Sequence, residues 1–172
     1  MTRFVTVAIS MLMFAFGAWS QSSPPEHQDP APDLIDGAVN PGLIPDTVAY
    51  RLYFITVSET RNAPPEARKR QLAYLSKVGL NENDLSSIIS VLESFKTSYN
   101  ELVARYNEAA AAAEKEGKTP DYETFVFKRD MLVQTTREDL HAVLSANGLA
   151  SLDAFIKNEK RHMKIGLREA QP

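Results

Sequence analysis

The side chains that could do chemistry in this sequence are few and scattered. Three histidines occur, His27, His141 and His162. His162 follows Glu159 by three residues, the spacing that puts two side chains on one face of a helix. Such a pair could touch a metal ion, but zinc needs three or four convergent N, S or O ligands. The adjacent Lys160, Arg161 and Lys164 would also repel a cation. Cysteine is absent, which excludes disulfides, thiolate metal sites, a Cys nucleophile and a lipid anchor attached through cysteine. No G-x-S-x-G, H-E-x-x-H or Gly-rich phosphate loop occurs. Ser86, Ser87, Ser90 and Ser94 fall at helix-polar positions, and the acidic residues recur at helical spacing as solvated faces. The sequence therefore predicts neither an enzyme nor a bound cofactor or metal.

The densest run of charge is KNEKRHMK at 157–164. Lys157, Lys160, Arg161 and Lys164 form a candidate interaction surface for an acidic partner or anionic headgroups. The simpler reading is that these cations complement the negative end of a helix dipole. The run is short, only Phe155 lies near it as an interleaved aromatic, and the chain carries a formal net charge of -3, so nucleic acid is not expected as a partner.

Elements must position these residues, and the chain announces them with its prolines. The N-terminus reads MTR, then the uncharged run FVTVAISMLMFAFGA, then Ala18-Trp19-Ser20 with small residues at -3 and -1 before Gln21. This pattern predicts a signal peptide over 1–20 and a periplasmic or secreted product. The apolar run is shorter than the ~20 residues a spanning helix needs. Membrane contact is expected only through this segment, and only if it stays uncleaved. Six of the ten prolines lie between 24 and 45, which predicts a flexible Pro-rich linker over 21–43.

No proline occurs within 66–119 or 121–171, so long helices are permitted there. A single all-helical domain is expected over 44–168. Its fold class is all-α, with about five helices including a long antiparallel hairpin. The first helix is expected over 46–59, with Val48, Leu52 and Ile55 inward and Tyr53 and Phe54 beside them on the buried side. The second opens at Pro65 and stops at Gly79, with Leu72, Leu75 and Val78 inward.

The third helix carries the clearest pattern. Leu85, Ile88, Leu92, Phe95, Tyr99, Leu102, Tyr106, Ala109 and Ala113 alternate at three and four residues without a break. That is a coiled-coil-like seam sustained over about four heptads. Gly117 is its expected stop. A fourth helix is expected from Thr119 as cap and Pro120 at N1 to about Leu144, with a stripe of Val126, Val133, Leu140 and Val143. The short connection makes it antiparallel to the third. A fifth is expected over 146–165, with Leu149, Leu152, Ile156 and Met163 on one face.

Two helix starts repeat each other at an offset of 64 residues. Leu80 matches Leu144, Leu85 matches Leu149, Ile88 matches Leu152, and Leu92 matches Ile156. Each copy has a Leu, a capping residue (Asn81, Ser145), polar residues and then a Leu. The cap oxygen can accept an orphan backbone N–H, and the preceding Leu can staple the first turn. With the signal segment, the missing cysteine and the long helices, these turns resemble the Spy/CpxP group of small periplasmic proteins, named for a Leu-Thr-x-x-Gln motif that starts helices twice. The resemblance covers about 75–165. Here the copies read Leu80-Asn81-Glu82-Asn83-Asp84 and Leu144-Ser145-Ala146-Asn147-Gly148, without the Thr or the Gln. The resemblance implies a helical cradle that binds unfolded or extracytoplasmic client chains, or senses envelope stress.

The sequence thus leads to an exported, non-enzymatic helical protein, binding or chaperone-like, with a protein client. The alternative is a structural or assembly protein that forms a homodimer through the 85–113 seam near the membrane.

Overall fold

The computed structural model describes residues 34–166; the expected signal peptide and the linker up to 33 lie outside the described residues. Five α-helices are described: α1 (Asp46–Val57), α2 (Pro65–Leu75), α3 (Glu82–Lys115), α4 (Tyr122–Val143) and α5 (Ala146–Glu159). The class is all-α. At ~1.5 Å per residue, the 34 residues of α3 extend over roughly 50 Å.

Backbone hydrogen bonds shape the turn between α3 and α4. Gly117 takes a left-handed φ of 68°. Its N–H reaches the Glu114 carbonyl at 3.0 Å, and the Lys118 N–H reaches the Ala113 carbonyl at 2.9 Å. These are the two bonds of a Schellman ending, which needs a residue that tolerates positive φ. Gly79, at φ 76°, ends a single 3-10 turn (Ser76–Val78) that follows α2. The cap of α4 is Asp121, not Thr119: the Asp121 carboxylate accepts the Thr124 N–H at 3.0 Å. Pro120 thus falls before the cap rather than inside the first turn.

α1 is the central element and packs against α2, α3, α4 and α5. It is therefore buried nearly all round, at Val48, Ala49, Tyr50, Arg51, Tyr53, Phe54 and Val57, while Leu52 and Ile55 are only half-buried. Phe54 is fully buried, with the rings of Tyr50, Tyr53 and Phe95 at 5.5, 6.1 and 5.3 Å. Ile88, Leu92 and Phe95 of α3, Val133 and Leu140 of α4, and Leu152 and Ile156 of α5 complete this core. In α2 the buried line is Ala67, Gln71 and Leu75, continued by Val78, and Leu72 is exposed. Thr136 interrupts the apolar stripe of α4 but is buried, its hydroxyl donating to the Leu132 carbonyl at 2.8 Å. That bond satisfies a polar group that would otherwise be costly to bury. Val143, expected in the stripe, is exposed.

Two short strands correct the expected domain limits. β1 (Leu34–Asp36) pairs antiparallel with β2 (Lys164–Gly166), placing Ile35 opposite Ile165. Both isoleucines are buried, and Lys164 pairs with Asp36 at 3.1 Å across the ladder. A 3-10 turn follows at Pro41–Leu43, and Ile44 is fully buried. Residues 34–43, expected in the flexible linker, thus belong to the folded body. At the other end α5 stops at Glu159; a 3-10 turn (Lys160–His162) and β2 follow, where helix was expected to continue to 165. Apolar burial of Ile35 and Ile165 against the helices outweighs the helical preference of the local sequence.

Candidate functional site

The repeated caps meet. Asn81 accepts the Asp84 N–H at 2.9 Å at the start of α3, and Ser145 accepts the Gly148 N–H at 3.1 Å at the start of α5. The offset holds in burial at three of the four matched pairs: Leu85 and Leu149 are half-buried, while Ile88, Leu152, Leu92 and Ile156 are buried; Leu80 is half-buried where Leu144 is buried. One carboxylate joins the two copies. Asp84 Oδ1 accepts the Ser145 backbone N–H at 2.8 Å, and Oδ2 accepts the Ser145 hydroxyl at 2.6 Å and the Asn81 amide at 2.6 Å.

In a capping box, an acid three residues after the cap reaches back to the cap's own N–H. In α5 that position is Gly148, which has no side chain. Asp84 supplies the acid from the other helix, and its Oδ2 lies 2.4 Å from where a Gly148 Cβ would stand. The glycine is therefore required by the carboxylate that replaces its side chain. The Ser145 backbone N–H, then the Ser145 hydroxyl and the Asn81 amide, hold the Asp84 carboxyl below its ordinary value of 3.8. This junction fixes the two helix starts together.

A second feature lies on the outer face of α4. Tyr122, Phe127 and Met131 are 56, 67 and 51% exposed. With Val126 and the polar Glu123, Asp130, Gln134 and Thr47 they line an open groove of 540 Å³. Its polar edge is anchored. Asp130 accepts from Arg129 Nε at 2.9 Å, and the buried Arg51 reaches it at 3.4 Å. A run of large apolar side chains left in solvent marks a contact surface more often than chance exposure. The sequence carried a signal for it: Phe127 and Met131 stand four apart and off the inward stripe, so they form a second apolar line on the same helix.

The expected basic surface is divided. Lys160 is 8% exposed, and its ammonium donates to the Ile44 carbonyl at 2.6 Å and pairs with Asp46 at 2.5 Å. It is a buried tie between α1 and the end of α5, not an open contact. That bond from Lys160 also holds the Asp46 carboxyl below its usual range. Lys164 is taken up by Asp36 in the strand pair. Lys157 and Arg161 are exposed. Two of the four cations are thus paired with carboxylates of the chain itself, while Lys157 and Arg161 form no ion pair among the described residues.

His141 and His162 are both exposed, and His27 lies outside the described residues. Among the described residues no three His, Asp or Glu side chains converge to hold a metal ion. Burial, and then the bond to Asp153, pushes the Tyr50 hydroxyl up, and burial pushes Tyr53 up, so neither ionises near neutrality. No described helix is long and apolar enough to cross a membrane. No family model matches this chain, and neither the curated proteins nor the solved structures contain a significant match to it.

Proposed function

We propose that this chain is an exported, non-enzymatic binding protein of the periplasm or exterior, chaperone-like, that receives apolar segments of client polypeptides on the outer face of α4. The observation that supports this reading most is the open groove on α4 lined by Tyr122, Phe127 and Met131, three large apolar side chains each more than half exposed. The N-terminal sequence supports export. The Spy/CpxP resemblance points to the same class of activity.

The test is suppression of client aggregation. Purified chain, added stoichiometrically to an unfolded, aggregation-prone protein, should reduce light scattering. The double substitution Phe127→Ser with Met131→Ser should abolish that effect while leaving the circular dichroism spectrum intact. An inactive wild-type chain, or a fully active double variant, would overturn the proposal.

The alternative is self-association. In the described fold Ile88, Leu92 and Phe95 of the seam are buried by the chain's own helices, which leaves only its outer part for a second copy. A homodimer would use that part or the α4 strip. Light scattering that shows a concentration-dependent dimer, lost in the same double variant, would favour self-association through the strip over client binding.

A further inference from the structure

The cleft between α1, α4 and α5 has a volume of 340 Å³ and carries five charged side chains, Asp46, Arg137, Asp153, Lys157 and Lys160. They fall into two groups. Lys160 is committed to Asp46 and to the Ile44 carbonyl. Asp153 accepts the Tyr50 hydroxyl. Arg137 and Lys157 form no ion pair among the described residues, although two carboxylates line the same cleft.

Arg137 is also held in place. Its guanidinium lies over the Tyr50 ring at 4.5 Å, an arrangement that fixes a planar cation. Its Nε is buried and has no hydrogen-bond partner. Among the described residues the chain thus supplies an aromatic support for the guanidinium but no hydrogen-bond acceptor.

Three cations against two carboxylates leave the cleft with one excess positive charge. A planar, singly charged acceptor matches both that charge and the flat guanidinium. A doubly charged phosphate would bring surplus negative charge against Asp46 and Asp153. We propose that this cleft binds a small organic carboxylate, contacted by the terminal nitrogens of Arg137 and by the Lys157 ammonium. The site is separate from the α4 groove, and its existence does not depend on client binding.

The experiment is a titration of the full chain followed by amide NMR, with sodium acetate as probe and sodium chloride and inorganic phosphate as controls at matched ionic strength. Acetate should give saturable shifts confined to the surroundings of Arg137, Asp153 and Lys157, with weaker effects from phosphate. Arg137→Gln should weaken acetate binding by roughly tenfold, the effect of losing a charge-assisted contact. Lys157 is exposed, so Lys157→Gln keeps the fold and should weaken binding by a smaller factor if Arg137→Gln is unstable. Shifts equal to those from chloride, tighter binding of phosphate, or unchanged acetate binding in Lys157→Gln would each overturn the proposal.

Discussion

Leu92 and Leu102 lie on the same apolar seam of the same helix, yet they occupy different environments. Leu92 is fully buried, with α1 and α4 packed about that half of α3. Leu102 is half-buried. Below it, Phe95 meets Phe54 of α1 at 5.3 Å. Above it, Tyr106 meets Phe125 of α4 at 4.7 Å and Tyr122 at 6.1 Å. A heptad pattern reports which face of a helix is apolar. It does not report how many neighbours cover that face. The base of the hairpin is a core, and its outer half is a two-helix arm.

The largest expected effect separates these halves directly. Leu92→Ala should cost about 2–5 kcal/mol, because a fully enclosed site loses both transfer energy and packing. Leu102→Ala should cost about 1 kcal/mol, since only part of its surface leaves water on folding. Chemical denaturation of both variants measures the contrast. Equal costs would show that the arm is covered as completely as the base.

Next comes the junction of the caps, which lies at the base. Gly148→Ala would press a Cβ onto the Asp84 carboxylate, a short side chain held by Asn81 and Ser145. The expected destabilisation is about 1–3 kcal/mol. Combining it with Asp84→Ala should give less than the sum of the two single effects, because both act on one contact. Additive costs, measured by a double-mutant cycle, would mean that the two residues do not meet.

The same carboxylate makes the base sensitive to acid. Its bonds to Ser145 lower the folded-state value below the ordinary 3.8. The stabilisation is therefore complete above the unfolded value and is lost as pH falls through the folded one. Thermal unfolding followed from pH 5 downward should show a shallower loss of stability in Asp84→Asn than in the parent chain. An identical acid slope in the two proteins would remove Asp84 from the account.

Much of this architecture could be read from local pattern. The α3 seam, the stops at Gly79 and Gly117, and the caps at Asn81 and Ser145 each depend on residues within a turn or two. The offset of 64 identifies two helix starts as equivalent, and burial agrees from Leu85 and Leu149 onward. What escaped was set by contacts distant in sequence. Asp84 and Ser145 are 61 residues apart, and Lys160 is buried by a carbonyl 116 residues away. Three-residue strands offer no periodicity, so in the sequence β1 reads as linker and β2 as helix. Of the candidate contact residues, Lys160 is buried by such a contact, while Lys164 stays exposed beside Asp36. Phe127 and Met131 lie off the apolar stripe expected for the fourth helix, and their four-residue spacing alone does not say whether a partner covers them.

The smallest expected effect on stability concerns that pair. Phe127 is two-thirds exposed, so its ring gives up little solvent contact when the chain folds. Phe127→Ser should therefore change the unfolding free energy by no more than about 0.5 kcal/mol, the range for surface positions away from caps and cores. The same substitution should weaken client capture, because a bound apolar segment would cover the ring that folding leaves open. A loss of several kcal/mol instead would show that the outer face of α4 is packed in solution, and the distinction between a covered base and an open flank would fail at that point.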